Sequence, residues 1–300
     1  SLVLDGFYQY FNGENILGFK SISNYRVSSF FHEELILGSY LSRLWPVFFG
    51  LSIFFVKKKE KLFFLLILIF ILSEVLIFLS GDRTAFFYLN LSAIFVILFS
   101  QKLLKLRVFT LLASILLITI ISLINPTAYQ RVFNQTLDGM VSEEESEEEK
   151  DEIYIFTKQH THHYITAYRM FLDNKVMGVG IKNFRNFCHD SKYEKSKLSC
   201  STHPHNTYIQ ILAETGIIGF SFLLIILFYF CKNMFKHTIY KLKGKYHFCD
   251  FEICILSGIA IYLWPLAPTG NVFNNWLNIV TIISLPLLIR SLKSNKIKNL

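Results

Sequence analysis

Seven apolar blocks, each close to the length that crosses a bilayer, constrain the fold of this chain most strongly. A transmembrane helix needs about 20 predominantly apolar residues, and inside lipid only a helix satisfies its backbone hydrogen bonds within one segment. The blocks predict an all-α integral membrane protein with about seven transmembrane helices. They lie at residues 35–56, 62–79, 85–100, 108–124, 208–231, 251–267 and 273–289.

The basic residues of the chain lie mainly in the short loops between these blocks. The net charge of +8 would suggest nucleic-acid binding in a soluble protein. Here only 17% of residues are charged, against about 25% in soluble domains. The positive charge is therefore expected to set membrane orientation, and no nucleic-acid partner is expected.

Loops of two kinds alternate along the chain, and more than half of the 30 lysines and arginines lie in one kind. The positive-inside rule places these basic loops in the cytoplasm. They are residues 57–61, 102–107, 232–245 and 290–298. The C-terminus is then cytoplasmic, and the long loop faces the periplasm.

The predicted organisation has four parts, and the absence of Met before Ser1 indicates a fragment lacking upstream helices. The parts are an extracytoplasmic segment at 1–34, four transmembrane helices at 35–124, a large periplasmic loop at 125–207, and three transmembrane helices with a basic tail at 208–300.

Six of the nine histidines lie in the long loop, which makes it the expected place of the chemistry. They are His160, His162, His163, His189, His203 and His205. A zinc site is one interpretation, and acid–base catalysis near neutral pH is another. Zinc is disfavoured because Cys188 and Cys200 are expected to be oxidised outside the cytoplasm. A Cys188–Cys200 disulfide is favoured over two thiols, and no metal is expected.

Two cationic features could bind phosphate. Arg83 follows a Gly-Asp turn at an outer membrane edge. It is either a headgroup anchor or a guanidinium fork for a phosphate. Lys182 and Arg185 follow a Gly-x-Gly turn and form either a solvated basic face or a site for a lipid diphosphate. That turn lacks the third glycine of a dinucleotide fingerprint.

Further polar residues leave alternatives open. His205 and Asn206 are expected at the first turn of a membrane helix, where an anion is favoured and where Asn206 or Thr207 could cap the helix. Glu74 lies inside a predicted span and is a functional candidate by default, or pairs with Arg43 or another buried residue. The acidic run at 143–152 is predicted to be a mobile, solvated loop.

Three motifs together resemble the O-antigen ligase and O-antigen polymerase superfamily. They are Ser-Gly-Asp-Arg-Thr at 80–84, Asp-Asn-x-x-x-Gly-x-Gly at 173–180, and His-Pro-His-Asn-Thr-Tyr followed by Glu-x-Gly-x-x-Gly within 203–219. The resemblance implies a GT-C-like inner-membrane glycosyltransferase of bacteria. Such enzymes move a glycan from a polyprenyl pyrophosphate carrier to a periplasmic acceptor and are thought to need no metal or cofactor.

The resemblance also implies site residues. The family's arginine at the outer helix edge matches Arg83, and its histidine before asparagine matches His205. A further family arginine in the large loop aligns with His160, so that His160, or Arg169 or Arg185 nearby, is expected to take its role. His203 and Asn206 are expected to contact substrate.

Several functions remain open at this point. Ligation to lipid A-core is favoured over polymerisation of the carrier-linked glycan. A transporter of lipid-linked glycans would place charged residues along several spans, whereas here only Arg43 and Glu74 lie well inside them. A non-enzymatic scaffold would not need His205.

Overall fold

The computed structural model describes residues 1–21, 26–56, 60–140 and 156–298. In these ranges the chain is helical with connecting loops, and an isolated antiparallel bridge joins Glu14 and Lys20. No β-strand occurs among the described residues. The acidic run at 143–152 and most of the basic loop at 57–61 lie outside them.

Thirteen α-helices, a 3-10 turn and one π-helical segment follow one another through the described ranges. They are α1 (Leu2–Asn12), a 3-10 turn (Ser29–Phe31), α2 (Leu37–Val56), α3 (Glu60–Leu79), α4 (Arg83–Phe99), α5 (Leu104–Ile124), α6 (Thr127–Tyr129), the π-helical segment (Gln130–Asn134), α7 (Gln135–Met140), α8 (Lys158–Asp173), α9 (Phe184–Phe187), α10 (Thr207–Leu242), α11 (Asp250–Tyr262), α12 (Asn275–Ile282) and α13 (Ser284–Lys298).

Four described helical stretches are long and apolar enough to cross a membrane. They are Lys61–Leu79, Leu104–Ile124, Thr207–Leu242 and Asn275–Ser294, and Arg83–Phe99 is a shorter apolar helix. All five overlap predicted blocks. The all-helical architecture is therefore consistent with an integral membrane protein, while seven spans and the large loop stay predictions.

Prolines explain two departures from the predicted blocks. The block at 251–267 forms a helix only to Tyr262, because Pro265 disfavours helical geometry in the residue before it. The block at 273–289 divides into α12 and α13 between Ile282 and Ser284. Pro286 lacks the N–H that would bond to the Ile282 carbonyl, and its ring would clash with that carbonyl.

The chain forms two compact units. The first comprises residues 1–134, 240–262 and 280–300, and the second comprises residues 135–239 and 263–279. In the first unit α2 packs against α3, α4 and α11, and α3 packs against α5. Stacked and edge-to-face rings of Trp45, Phe49 and Phe70 lie in this core.

A buried ion pair joins α3 to α5 in the first unit. Arg107 was expected in a cytoplasmic loop, but α5 begins at Leu104 and the Arg107 side chain is fully buried. Its guanidinium pairs with Glu74, donates to Thr110 Oγ1 at 2.8 Å, and lies 4.1 Å from the Trp45 ring centroid. Glu74 therefore pairs with Arg107 rather than Arg43, as expected of a buried charge that must be paired.

In the second unit the Gly-x-Gly turn crosses α10 backbone to backbone. At Gly216, where φ is 63°, α10 leaves helical geometry, and the Ile217 amide donates to the Lys175 carbonyl at 2.8 Å. A Cβ atom at Gly178 would lie 2.4 Å from the carbonyl carbon of Glu214. This close crossing requires glycine and fixes the loop against the start of α10.

The buried Glu214 carboxylate strengthens the same junction. It accepts hydrogen bonds from the backbone amides of Lys182 and Phe184, both at 3.0 Å, and from the Gln210 side chain at 3.2 Å. Gln210 in turn donates to Asn271 Oδ1 at 2.8 Å. The first turns of α10, the Gly-x-Gly turn and the 263–272 loop are thereby held together within one unit.

Candidate functional site

The second unit brings four imidazoles together. His205 lies among three others, with ring centroids 4.1 Å from His203, 5.3 Å from His163 and 5.5 Å from His160. We call these four residues the imidazole cluster. The other two loop histidines point elsewhere, since His162 hydrogen-bonds to Ser196 Oγ at 2.6 Å and His189 is exposed.

Helix α8 supplies one side of the imidazole cluster. Residues three apart share a helix face, which places His160 and His163 side by side. Thr157 is the N-cap of α8, and its hydroxyl oxygen accepts a hydrogen bond from the His160 amide at 3.3 Å. The same oxygen lies 2.7 Å from His160 Nδ1. The cap that starts the helix therefore also orients His160.

The loop before α10 supplies the other side. His203 Nε2 donates to the Thr269 carbonyl at 3.1 Å, and the Thr269 amide donates to the His205 carbonyl at 2.7 Å. A disulfide joins Cys188 and Cys200, whose Cα atoms are 5.2 Å apart. His205 is thus anchored from both sides, in a left-handed conformation with φ of 57° that is rare for residues other than glycine.

The hydrogen bonds of Ser201 show which ring nitrogen of His205 carries the proton. Its hydroxyl has one hydrogen, which it donates to the His203 carbonyl at 2.6 Å, because a carbonyl can only accept. The same oxygen lies 3.1 Å from His205 Nε2, so Nε2 carries the proton and donates it to Ser201. The lone pair of neutral His205 is then on Nδ1, which makes Nδ1 the atom able to accept a proton.

Burial keeps three members of the cluster, His163, His203 and His205, neutral near physiological pH. It lowers the pKa of His205, and it lowers the pKa of His163 to about 4 and of His203 to about 3. Repulsion from neighbouring imidazoles adds to both of the larger shifts. These three neutral imidazoles suit proton acceptance better than the binding of an anion.

The sequence model of the O-antigen ligase (Wzy_C) family matches residues 63–224, more than half of the chain. The chain belongs to the O-antigen ligase family. Among curated proteins none matches the chain significantly. The chain is therefore a membrane protein of lipopolysaccharide biosynthesis, with an activity of the O-antigen ligase or polymerase type.

The family match spans both Arg83 and the imidazole cluster. Arg83 opens α4, and Asp82 caps that helix by accepting from the Ala85 amide at 3.0 Å. Gly81 before it has a φ of 63°, which glycine adopts readily. The Gly-Asp turn therefore fixes the backbone position of Arg83 at the start of α4 in this O-antigen ligase family member. The role of Arg83 in phosphate binding stays a prediction.

The other predicted cations differ in their surroundings. Arg169 donates to the carbonyls of Glu194 at 2.7 Å and Tyr193 at 3.3 Å, so it supports the loop backbone. Lys182 and Arg185 are exposed. The charge of Arg185 acts on His203 and helps to lower its pKa. Arg185 is therefore electrostatically linked to the imidazole cluster.

Asn206 is engaged as a cap at the start of α10. Its side-chain oxygen accepts from the amides of Tyr208 at 2.9 Å and Ile209 at 3.2 Å, and its side-chain nitrogen donates to the Pro265 carbonyl at 2.8 Å. Capping, one of the two roles considered for this residue, is thus observed. A contact with substrate stays a prediction.

Cys188, His189 and Cys200 have ligand atoms within 4.8 Å of one another, the one such group among the described residues. Both sulfur atoms belong to the disulfide, and a metal requires deprotonated thiolates. These residues therefore do not fit a zinc site while the disulfide is formed.

Sequence reasoning missed Ser201, Gln210 and Glu214 as residues that position the site. Glu214 lies within the family motif, but its role depends on amides about 30 positions away, which no local pattern reveals. Ser201 follows Cys200 with no distinguishing signal. Ser201 acquires its role because the chain turns after it and brings His205, four residues later, within hydrogen-bond distance of its hydroxyl.

Proposed function

We propose that this chain transfers a glycan from a polyprenyl pyrophosphate carrier to an acceptor on the periplasmic side of the inner membrane, with lipid A-core as the acceptor. Family membership supports a lipid-linked glycan donor. Outside the cytoplasm the donor must be activated in advance, and a sugar diphosphate supplies that activation. The observation that supports the proposal is His205, which is half-buried, has a lowered pKa and donates its Nε2 proton to Ser201.

In the proposed reaction the acceptor hydroxyl attacks C1 of the first sugar. The bond from C1 to the diphosphate oxygen breaks, and the carrier diphosphate leaves with the electron pair. A positive charge develops on the sugar ring as in other glycosyl transfers. The proton of the acceptor passes to His205 Nδ1 and from there to solvent, so that one C–O bond forms for each one that breaks.

Arg83 is proposed to bind the diphosphate as it leaves. A fixed guanidinium stabilises negative charge that grows in the transition state. Lys182, Arg185 and His203 are proposed to contact the glycan or its acceptor from the large loop. His160, with its Nδ1 at Thr157 and its ring beside His205, is proposed to position His205 rather than to bind phosphate.

The direct test is transfer by purified protein in lipid nanodiscs from a polyprenyl-pyrophosphate glycan to lipid A-core. Wild-type protein is expected to produce glycosylated core, also with EDTA present. Arg83→Ala is expected to lower the rate by about 10²-fold or more while still inserting. Normal activity of that variant would remove Arg83 from the mechanism, and loss of activity in EDTA would overturn metal independence.

The same family includes polymerases, and deletion of the gene for this protein in cells distinguishes a ligase from a polymerase. Loss of all O-antigen from the core indicates the proposed ligase. Retention of a single repeat on the core indicates a polymerase that extends the carrier-linked chain.

A further inference from the structure

One turn of the second unit exposes apolar side chains to solvent. Val176, Met177 and Ile181 have exposed fractions of 59%, 69% and 59%. Single exposed apolar residues are common on protein surfaces, whereas a contiguous apolar patch marks a site of interaction with a protein or a membrane. We call residues 175–182 the apolar turn.

Backbone contacts hold the apolar turn against α10. The Ile217 amide donates to the Lys175 carbonyl at 2.8 Å, and the Ile218 amide donates to the Val176 carbonyl at 3.4 Å. A Cβ atom at Gly216 would lie 2.3 Å from the Val176 carbonyl oxygen, so the two backbones touch there. The apolar turn is therefore held at a fixed level along α10.

Helix α10 changes character at that same level. None of its residues Thr207–Thr215 is exposed, and this first part carries the buried polar side chains of Gln210 and Glu214. From Ile217 onward α10 exposes apolar side chains, and residues 217–231 include no charged residue. Because α10 is long and apolar enough to cross a membrane, its lipid-facing surface is expected to begin at the level of the apolar turn.

Basic residues border the apolar turn. Lys175 and Lys182 are exposed at its two ends, and Arg185 is exposed three residues further on. The nearest acidic residue in the sequence, Asp173, forms an ion pair with Lys192 at 2.6 Å. Apolar side chains bordered by cations fit the boundary of an anionic membrane, where acyl chains meet lipid phosphates.

We propose that the apolar turn inserts into the outer leaflet of the inner membrane beside α10, with its apolar side chains among the acyl chains and its two lysines at lipid phosphates. Continuity favours lipid over a protein partner, because the exposed Ile217 and Ile218 extend the same surface into the span. About 14 Å of helix separates Thr207 from Gly216, so the start of α10 then stands outside the hydrocarbon region. The inference depends on α10 crossing the membrane and not on glycan transfer.

Quenching of a fluorescent amino acid incorporated in place of Met177 tests this insertion in the full chain in nanodiscs. Lipids that carry a nitroxide near the glycerol end of the acyl chain quench from within the leaflet, and iodide quenches from water. Phe222, exposed on α10, is the matched position in the span. His189 is the matched position near the imidazole cluster, since its ligand atom lies within 4.8 Å of the sulfur of Cys200, the neighbour of Ser201.

The nitroxide lipid should lower the fluorescence at positions 177 and 222, and iodide should lower it at position 189 alone. Iodide quenching at 177 equal to that at 189 would overturn the inference. Quenching at 177 by neither agent would also overturn it and would indicate a protein cover. Thermal melting shows whether each labelled protein is folded, and a probe in place of Ile181 decides the outcome if the protein labelled at 177 is not.

Native mass spectrometry of protein from nanodiscs with phosphatidylglycerol and phosphatidylcholine tests the basic border. Lys175→Gln should lower the binding constant for phosphatidylglycerol by about fivefold, which corresponds to about 1 kcal/mol for one basic residue at an anionic surface. Lys197→Gln is the matched control, because Lys197 is exposed three residues before Cys200. It should bind phosphatidylglycerol as wild type does. No loss in Lys175→Gln, or equal losses in both variants, would overturn the assignment of the lysines to lipid phosphates.

Discussion

At the residue scale, the proposed chemistry depends on one imidazole, His205, whose protonation is influenced by the fold. His205 occupies a left-handed backbone conformation, and Ser201 holds its Nε2 proton. Strained backbone of this kind occurs frequently at functional sites. The sequence indicated His205 and the histidine-rich loop. It did not indicate Ser201, because a serine hydroxyl acquires this role only through a hydrogen bond made after folding.

Replacing Ser201 tests the tautomer assignment. Ser201→Ala removes the acceptor for His205 Nε2–H, so the ring is free to place its lone pair on either nitrogen. We expect kcat for transfer to fall by about 10- to 100-fold. Ser201→Thr keeps the hydroxyl and should retain most activity. A change confined to KM, or equal losses in both variants, would contradict the assigned role.

The buried histidines predict a stability that depends on pH. In the unfolded chain their pKa is about 6.5, whereas the folded protein holds His163 at about 4 and His203 at about 3. Below pH 6.5 the unfolded state binds more protons, so the free energy of unfolding falls as the pH decreases. That loss continues for His163 until about pH 4.

Fluorescence-monitored melting of detergent-solubilised protein between pH 7.5 and 4.5 measures this effect. Wild type should lose stability relative to His163→Gln on acidification, because the variant lacks that proton-linked term. His189→Gln removes an exposed histidine and should follow wild type. Parallel curves for wild type and His163→Gln would refute the prediction.

At the element scale, apolar length predicted where helices lie but not where they end. The blocks at 62–79 and 108–124 agree with α3 and α5, whereas α11 ends at Tyr262 and the last block is divided. Prolines 265 and 286 account for both differences. The break in α10 at Gly216 also depends on a distant segment, since the Ile217 amide bonds to Lys175, and local propensity carries no information about that contact.

The crossing of the Gly-x-Gly turn over α10 can be tested with two glycines. Gly178 and Gly244 share a φ of 69°, so alanine is strained at both. Only at Gly178 would the added Cβ meet backbone, since nothing lies within 4 Å at Gly244. We expect Gly178→Ala to destabilise by about 3 kcal/mol and Gly244→Ala by about 1 kcal/mol.

Chemical unfolding of both variants in detergent gives the comparison. The larger loss of unfolding free energy expected for Gly178→Ala than for Gly244→Ala is the cost of the clash between the added Cβ and the backbone of α10. Similar losses in the two variants would mean that the backbone conformation alone requires glycine, and that the crossing is looser than described.

At the scale of the whole molecule, the proposed function requires the turn at residues 80–83 and the large loop to face the periplasm. Two distant arginines contact the turn that precedes Arg83: Arg26 donates to the Ser80 carbonyl, and Arg131 donates to the Gly81 carbonyl. The three arginines lie at least 48 residues apart in sequence, so no local pattern predicts these contacts. Loop charges predict that all three lie outside the cytoplasm. Under the proposed function the donor glycan and the acceptor are on that same side, so the large loop is predicted to lie there as well.

Reporter fusions measure this sidedness. A phosphatase that is active only outside the cytoplasm, fused after Asp190, should be active. A fluorescent protein that folds only in the cytoplasm should fluoresce when fused at the C-terminus. The reverse pattern would place the large loop in the cytoplasm, where the proposed substrates are absent, and would contradict the proposed orientation.

The measurement that tests the central claim most directly is the pH–rate profile of glycan transfer by wild type, His205→Ala and His189→Ala in nanodiscs. Wild type and His189→Ala should be active near neutral pH and lose activity only at pH values below the ordinary imidazole pKa of about 6.5, because burial lowers the pKa of His205. His205→Ala should be slower by about 10²-fold or more and lack that acid limb. A His205→Ala enzyme that transfers glycan at the wild-type rate with the same acid limb would show that His205 does not accept the proton.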